Sequence, residues 1–316
     1  MAQYYTSLEG VNIQNTWLTI GSFDGVHLGH QQLIHQLNTN AHLAAAKSVV
    51  LTFYPHPSVV LRGRSGAFYL TTPTEKANIL DDLGIDIIIT HPFTHQVSQS
   101  TAQDFILYLL DHLGFQQLWV GYDFALGRGR EGNVSFLREL GKEHNYQVHI
   151  FEPVTSNGKT ISSSHIRRLL QEGKVEEANS CLGRQYQVVG KVIHGDGRGK
   201  SIGIPTANLD PGNEKLIPRA GIYACQVKIK DKSFPAAVNI GTRPTFESID
   251  QKSHVEAHIL DYYGDLYDQQ ITIVFISRLR DELRFGSVEE LIIQIHKDIE
   301  KTREVIGDLA NGLVSE

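Results

Sequence analysis

Hydrophobic and polar positions divide the chain into two halves with different rhythms. In the first half, apolar runs that read as strands over 17–20, 48–53, 86–90, 117–121 and 147–152 alternate with helical spacing over 28–37, 74–83, 101–113 and 134–144. Leu28, Leu33, Ile34 and Leu37 recur at such spacing, Pro73 and Thr74 mark a helix start, and Gly114 marks a stop. The alternation predicts a parallel sheet covered by helices, a Rossmann-like unit with ligands at the carboxyl ends of its strands. Two short helices, over 163–171 and 175–181, close this half.

Past Gly183 the rhythm changes. Strand-like runs over 185–193, 221–229, 233–240, 254–260 and 270–276 succeed one another through turns rich in Gly, Asp and Asn. Consecutive strands without intervening helices predict an antiparallel sheet or small β-barrel. The last pattern, over 288–306, sets Val288, Leu291, Ile292, Ile295 and Ile299 on one helical face, which is expected to pack on the barrel. The break in rhythm gives expected domains of 1–183 and 184–316.

Composition narrows the class. A length of 316 residues suits two domains, and 41% hydrophobic with 20% charged residues describes an ordinary globular protein. A net charge of −6 without a basic block argues against a nucleic-acid partner. Cys181 and Cys225 lack metal-type spacing and fit a reducing compartment. The start, Met1-Ala2-Gln3-Tyr4-Tyr5, has no basic n-region, and no apolar run approaches the roughly 20 residues needed to span a bilayer. The expectation is a cytoplasmic protein without a membrane partner.

The densest chemistry lies between the first strand and helix, in Gly21-Ser22-Phe23-Asp24-Gly25-Val26-His27-Leu28-Gly29-His30. Glycines allow close backbone approach, helix-entry amides attract phosphate, and His27 and His30 can donate to phosphoryl oxygens. His-x-x-His alone would read as two surface histidines; the ten-residue pattern favours phosphate. His56, in Thr52-Phe53-Tyr54-Pro55-His56-Pro57, could face the same crevice, though a strand-ending loop explains it equally. Gly121-Tyr122-Asp123-Phe124 puts a carboxylate at the same edge. Ser163 and Ser164 open a helix with Arg167 one turn on, either as ordinary caps or as a pyrophosphate holder. Gly127, Gly129 and Gly132 spell G-x-G-x-x-G with Glu152 downstream, but they sit beyond a tight first turn and beside Arg128 and Arg130, against a dinucleotide fingerprint.

The second half has a segment of its own, His194-Gly195-Asp196-Gly197-Arg198-Gly199-Lys200, leading through Gly203 into Pro205-Thr206-Ala207-Asn208. His194 stands where a P-loop needs glycine and no helix comes after, so it is not a P-loop. A glycine hairpin and a proline turn explain it blandly; a flap plus hydroxyl and amide oxygens could hold a Mg²⁺–nucleotide. His254, Glu256 and His258 alternate on one strand face, readable as a solvated face, a zinc set or a lone carboxylate base.

The pattern of residues 21–30 resembles the phosphate-binding signature of the nucleotidyltransferase superfamily. The ordered series of 21–30, 53–57, 121–124, 161–167, 195–203, 205–208, Glu256 and the ending Arg278-Leu279-Arg280-Asp281-Glu282-Leu283-Arg284-Phe285 resembles bacterial bifunctional riboflavin kinase/FMN adenylyltransferases across nearly the whole chain. The resemblance implies a nucleotidyltransferase domain and then a small Greek-key barrel. The barrel would phosphorylate riboflavin to FMN, and the first domain would adenylylate FMN to FAD, with ATP and Mg²⁺.

It further implies ATP-phosphate contacts from Gly21, Phe23, Asp24, Gly25, His27, Gly29 and His30, and pyrophosphate contacts from Ser163, Ser164 and Arg167. For the kinase it implies a flap of Gly195, Gly197, Arg198, Gly199, Lys200 and Gly203, metal ligands Thr206 and Asn208, and Glu256 as base. Asp123 and Arg280 are implied in flavin contact. Three departures stand out: Ser164-His165 where the family commonly has Thr and a variable residue, Leu283-Arg284-Phe285 for an acidic-x-Lys-Phe ending, and Ala125-Leu126 for a basic-aromatic pair. A single-activity relative and a non-catalytic flavin sensor are the rival readings. Motifs in both halves count against the first, and Glu256 with the His27/His30 pair against the second. Oligomeric state and FMN transfer between sites have no signature in the sequence.

Overall fold

The alternation in the first half becomes a six-stranded sheet in the computed structural model, which describes residues 1–156, 158–195, 199, 202–242 and 253–312. Its strands are β1 (Gln3–Tyr5), β2 (Thr16–Ile20), β3 (Lys47–Tyr54), β4 (Ile87–Pro92), β5 (Phe115–Gly121) and, after a two-residue hairpin of β6 (Ala125–Leu126) and β7 (Gly132–Asn133), β8 (Gln147–Phe151). All six pair in parallel, in the order β1-β4-β3-β2-β5-β8. The chain leaves β2 for β3 on one side and later crosses to β5 on the other. That reversal opens a crevice at the carboxyl end of β2, where ligands bind in such sheets.

Helices cover both faces because neighbouring strand residues point opposite ways. Val49 and Leu51 face Phe105, Ile106 and Leu109 of α5 (Ala102–Leu113) and Leu137 and Leu140 of α6 (Val134–His144). Val50 and Ile88 face Leu33, Ile34 and Leu37 of α1 (Leu28–Leu43) and Leu80 of α3 (Pro73–Asp82). Local signals set the ends: Thr72 and Glu75 form a capping box on α3, and Gly114 closes α5 at φ 46°. Besides the two-residue strands, the edge strand β1 and the short helices α2 (Pro57–Arg62) and α4 (His95–Gln99) lie outside the periodic pattern. Elements of three to six residues are too short to show a period.

The second half closes into a six-stranded antiparallel barrel, in the order β11-β12-β15-β14-β13-β16. Between the two halves lie the hairpin of β9 (Thr155–Ser156) and β10 (Lys159–Thr160), then α7 (Ser163–Glu172) and α8 (Val175–Leu182). The barrel strands are β11 (Tyr186–Ile193), β12 (Ala207–Asp210), β13 (Gly221–Ile229), β14 (Lys232–Thr242), β15 (Ser253–Ile259) and β16 (Gln270–Arg280). β12 is a strand that the hydrophobic pattern does not predict: the Pro205 turn leads at once into four residues paired to β11 and β15. The final helix, α9 (Val288–Gly312), packs on β13, β14 and β16 as its apolar face predicts.

Contacts divide the chain into one unit of Met1–Ser65 and Tyr69–Ser163 and another of Gly66–Phe68 and Ser164–Glu316. The division falls before α7, earlier in the chain than the change of rhythm at Gly183. α8 shows why. Asn179 Nδ2 donates to the Phe275 carbonyl at 2.9 Å, and Tyr186 N donates to Asn179 Oδ1 at 2.6 Å. The Glu176 carboxylate accepts from Ser277 Oγ at 2.6 Å and from the Arg278 amide at 3.1 Å. Ala178, Cys181 and Leu182 are buried. A fragment starting at Arg184 loses these contacts, each hydrogen bond worth about 1 kcal/mol. A fragment of 164–316 is therefore expected to melt about 10 °C above one of 184–316, measured by circular dichroism; equal midpoints would show that α7 and α8 contribute nothing to the barrel.

Candidate active sites

The turn between β2 and α1 is built by constraint. His27 caps α1, its Nδ1 accepting from His30 N at 3.4 Å, and the two imidazoles stack with ring centroids 3.6 Å apart. Gly29 makes room for this: a Cβ there would stand 3.2 Å from the His27 ring. Phe23 packs edge-on against His30 at 5.0 Å. Gly25 takes φ 82°, while Phe23 and Val26 hold φ of 45° and 37°, which L-residues adopt only when their surroundings insist.

The surroundings do insist. Asp24, 1% exposed, accepts through its carboxylate from the amides of Leu70 at 3.0 and 3.1 Å and Thr71 at 3.0 Å, and from Thr71 Oγ1 at 3.3 Å. Gly25 N donates to Thr71 Oγ1 at 3.0 Å, and Ser163 Oγ donates to the Asp24 carbonyl at 2.8 Å. The Asp24 carboxylate is thus held by protein donors. Beneath it, Lys76 Nζ reaches the Ser22 carbonyl at 2.7 Å and Thr52 Oγ1 at 2.8 Å. Burial pulls the Lys76 pKa down to about 8, with the charge of Asp24 opposing the shift. Sequence patterning gives no hint of Lys76, which lies on an ordinary amphipathic helix.

Elsewhere at this edge, His56 caps α2, its Nδ1 accepting from Ser58 N at 3.1 Å, so the loop reading of that segment holds. Asp123 comes after β5 with an exposed side chain, and its carbonyl accepts from Arg130 Nη2 at 2.8 Å. Ser164 and Arg167 are grouped with the second unit. Arg167 is 8% exposed; its Nε donates to the Phe68 carbonyl at 3.0 Å and its guanidinium lies 3.8 Å over the Phe68 ring.

The barrel unit holds a cavity of about 660 Å³. Antiparallel register sets Asn208 of β12, Glu256 of β15 and Asn239 of β14 abreast, and all three line it. Asn208 is 7% exposed, and the Oδ1 atoms of Asn208 and Asn239 are buried with no hydrogen-bond partner among the described residues. Thr206 lines the cavity as well. Glycine lets the flap come close: a Cβ on Gly195 would overlap the Asn208 amide, and one on Gly199 would overlap the Ile204 carbonyl. Gly203 takes φ 79°. Gly197, Arg198 and Lys200 lie outside the described residues.

His254 Nε2 is 2.6 Å from Glu256 Oε1, whereas His258 turns away, its Nδ1 2.8 Å from the Pro205 carbonyl. The three therefore do not converge as a zinc set would, and no group of three or more His, Cys, Asp or Glu fit to hold a metal occurs among the described residues. The lining also has an apolar part, made of Ile222, Leu283 and Phe285 with Val288, Leu291 and Ile295 of α9. Arg280 and Asp298 stand at the cavity wall, paired through Nε–Oδ1 at 2.9 Å and Nη2–Oδ2 at 2.6 Å. Asn239 and Asp298 escape a reading of the sequence. Asn239 sits in an apolar strand run, and only its register opposite Glu256 gives it meaning.

Two family models match the chain, one in each half. Residues 11–165 match the family model described as FAD synthetase, and residues 182–306 match the model described as riboflavin kinase. Proteins named bifunctional riboflavin kinase/FMN adenylyltransferase are 38% identical in Listeria monocytogenes (93% of this chain, 94% of the relative), and 37% in Escherichia coli K12 (92% of each). The one from Bacillus subtilis is 36% identical, over 89% of each chain. A Streptococcus pneumoniae crystal structure, named as a macrolide-efflux protein, superposes with a TM-score of 0.87 at 28% identity over 96% of this chain and 98% of its own. That name describes the other protein, and no helix among the described residues here is long and apolar enough to cross a membrane. The chain belongs to the bifunctional riboflavin kinase/FMN adenylyltransferase family, enzymes of flavin cofactor biosynthesis that use ATP to make FMN from riboflavin and FAD from FMN.

Proposed function

We propose that the two reactions use separate residue sets, with riboflavin phosphorylation carried within 184–316 and FMN adenylylation by the turn between β2 and α1. The observation that carries the kinase assignment is the row Asn208–Glu256–Asn239 facing the 660 Å³ cavity. Riboflavin lies with its ring system against the apolar part of the lining, beside Arg280, and its 5′-hydroxyl toward Glu256. Glu256 accepts the hydroxyl proton as that oxygen forms its bond to the γ-phosphorus of ATP and the β–γ bridge breaks, releasing ADP. His254 holds the carboxylate in place.

Thr206 and Asn208 fit a hard cation, because both offer neutral oxygens and the buried Asn208 Oδ1 has no other partner among the described residues. Mg²⁺ bound there would neutralise phosphate charge. The flap of Gly195, Gly197, Arg198, Gly199, Lys200 and Gly203 covers the nucleotide phosphates.

In adenylylation, a phosphate oxygen of FMN attacks the α-phosphorus of a second ATP and the bond to the β-phosphate oxygen breaks, releasing pyrophosphate. No covalent enzyme intermediate is required, since phosphate is itself the nucleophile. His27, His30 and the turn's amides, with Gly21, Gly25 and Gly29 keeping the backbone accessible, stabilise the developing charge. Ser163, whose hydroxyl already meets the turn, is placed to hold the leaving pyrophosphate, and Asp123 contacts nucleotide or flavin. Asp24 and Phe23 serve the shape of the turn. Cytoplasm is the proposed location, in keeping with two free cysteines and the dependence on ATP.

His30→Ala is expected to lower FAD formation about 10²–10³-fold while riboflavin phosphorylation stays near normal; equal loss of both would show that the residue sets are not separate. Glu256→Gln should lower FMN formation roughly 10²–10⁴-fold and spare FAD formation from supplied FMN, and an unchanged kinase kcat would remove Glu256 as the base. The 184–316 fragment, although less stable, should make FMN and no FAD by chromatography. A folded fragment that binds neither riboflavin nor ATP would mean that the kinase borrows residues from earlier in the chain.

A further inference from the structure

Lysine is seldom buried, because its ammonium loses water that a few hydrogen bonds must replace. Lys76 is 5% exposed on α3, and methionine would fill the same space without that cost. Its partners explain its presence. Nζ donates to the Ser22 carbonyl at 2.7 Å and to Thr52 Oγ1 at 2.8 Å, while Thr52 Oγ1 itself donates to the same carbonyl at 3.0 Å. Thr52, fully buried, lies near the carboxyl end of β3, and Ser22 opens the turn whose Phe23 and Val26 are held at positive φ. The ammonium therefore clamps the first residue of the turn to the sheet edge, through partners other than the amides that fix Asp24.

We propose that Lys76 is a positioning residue for adenylyl transfer, its buried ammonium holding the Ser22 carbonyl and the Thr52 hydroxyl so that the turn meets the ATP phosphates already shaped. The proposal rests on reading residues 21–30 as the ATP-phosphate site. A neutral side chain cannot do the same, since Lys76 supplies charge-assisted bonds to two acceptors that otherwise share one hydroxyl proton. The positive charge also lies beneath a turn that receives anions, so binding and clamping favour each other.

The clamp is expected to titrate. Asp24, on the turn, is the charged group that acts on Lys76. β3 presents only the Thr52 hydroxyl, and Glu75, on Lys76's own helix, accepts from the Thr72 amide at 2.8 Å. His27 and His30 lie at the start of α1, stacked on each other. With the Lys76 pKa lowered to about 8, the charged form prevails below that pH and is lost above it. Adenylylation kcat/KM for ATP should therefore fall as pH rises through about 8. Bound phosphate favours the ammonium, so the limb in kcat at saturating ATP should lie at higher pH.

The test uses the full-length protein, with FMN and ATP as substrates and both activities followed by chromatography. Trp17 and Trp119, the chain's two tryptophans, both lie in the first unit, so their fluorescence reports its folding. Lys76→Met is expected to keep the native fluorescence, lower adenylylation kcat/KM for ATP about 10–100-fold and abolish the alkaline limb. Lys76→Arg should recover part of the activity and also lack the limb, because a guanidinium stays charged throughout. Should both variants unfold, Thr52→Val carries the test: loss of one acceptor lowers the ammonium pKa and moves the limb to lower pH. A wild-type kcat/KM that stays flat from pH 7 to about 9.5, a limb unmoved in Thr52→Val, or a folded Lys76→Met of normal activity overturns the proposal. If His30→Ala loses adenylylation while Lys76→Met keeps it, the clamp alone is rejected; if both keep it, the phosphate-site reading fails with it.

Discussion

Strand register is the constraint on which both sites depend, because a slip of one residue would turn every side chain of a strand to the opposite face. In the barrel, pairing of β12 and β14 on either side of β15 sets Asn208 and Asn239 beside Glu256. Moved by one, Glu256 would exchange places with the buried Val255 or Ala257, and the cavity would lose its row of polar groups aligned across three strands. The parallel sheet obeys the same rule. Pairing of β2 with both β3 and β5 brings the ends of three strands level, so that the turn after β2, Thr52 and Gly121 gather at one edge.

Each unit then meets the same physical difficulty: a polyanion must be bound by groups that do not collapse onto one another. The first unit answers with a buried frame around the turn. Asp24 and Lys76 are both nearly inaccessible, and each makes hydrogen bonds to backbone and hydroxyl partners within that frame. The barrel answers with glycine, since Gly195 and Gly199 leave no Cβ to separate the flap from Asn208 or Ile204. The apolar part of its cavity lining is shaped by α9, whose Val288 is 53% exposed because that face borders the cavity instead of filling a core. The paired Arg280 and Asp298 fasten this helix to the end of β16.

Much of this is legible in the sequence. Periodicity marks the long parallel strands, the covering helices and the run of barrel strands, and the motifs mark the segments proposed as sites. The features that escape are short or depend on pairing. β12 hides behind the proline turn at Pro205, since four residues carry no alternation that distinguishes a strand from a loop. Asn239 is a polar residue in an apolar strand run and Asp298 one of many charges along α9, and nothing local separates either from a tolerated position. Lys76 escapes for the reverse reason: a lysine on an amphipathic helix is expected in solvent, and only tertiary packing reveals that it is buried. The change of rhythm at Gly183 marks the start of the barrel strands, yet α7 and α8 fold with the barrel because their contacts, such as Asn179 with Phe275, are made to its strands.

The central claim is that two chemistries proceed on two residue sets, each complete without the other. Mixing tests it most directly. The His30→Ala and Glu256→Gln proteins, each given riboflavin, Mg²⁺ and ATP alone, should fail to make FAD for opposite reasons. Combined in equal amounts, they should make it, because FMN released by the first protein is a substrate for the second. Chromatography of the mixture would then show riboflavin passing through FMN to FAD. FMN accumulating in the mixture without FAD, although the Glu256→Gln protein still adenylylates FMN when supplied alone, would contradict the account.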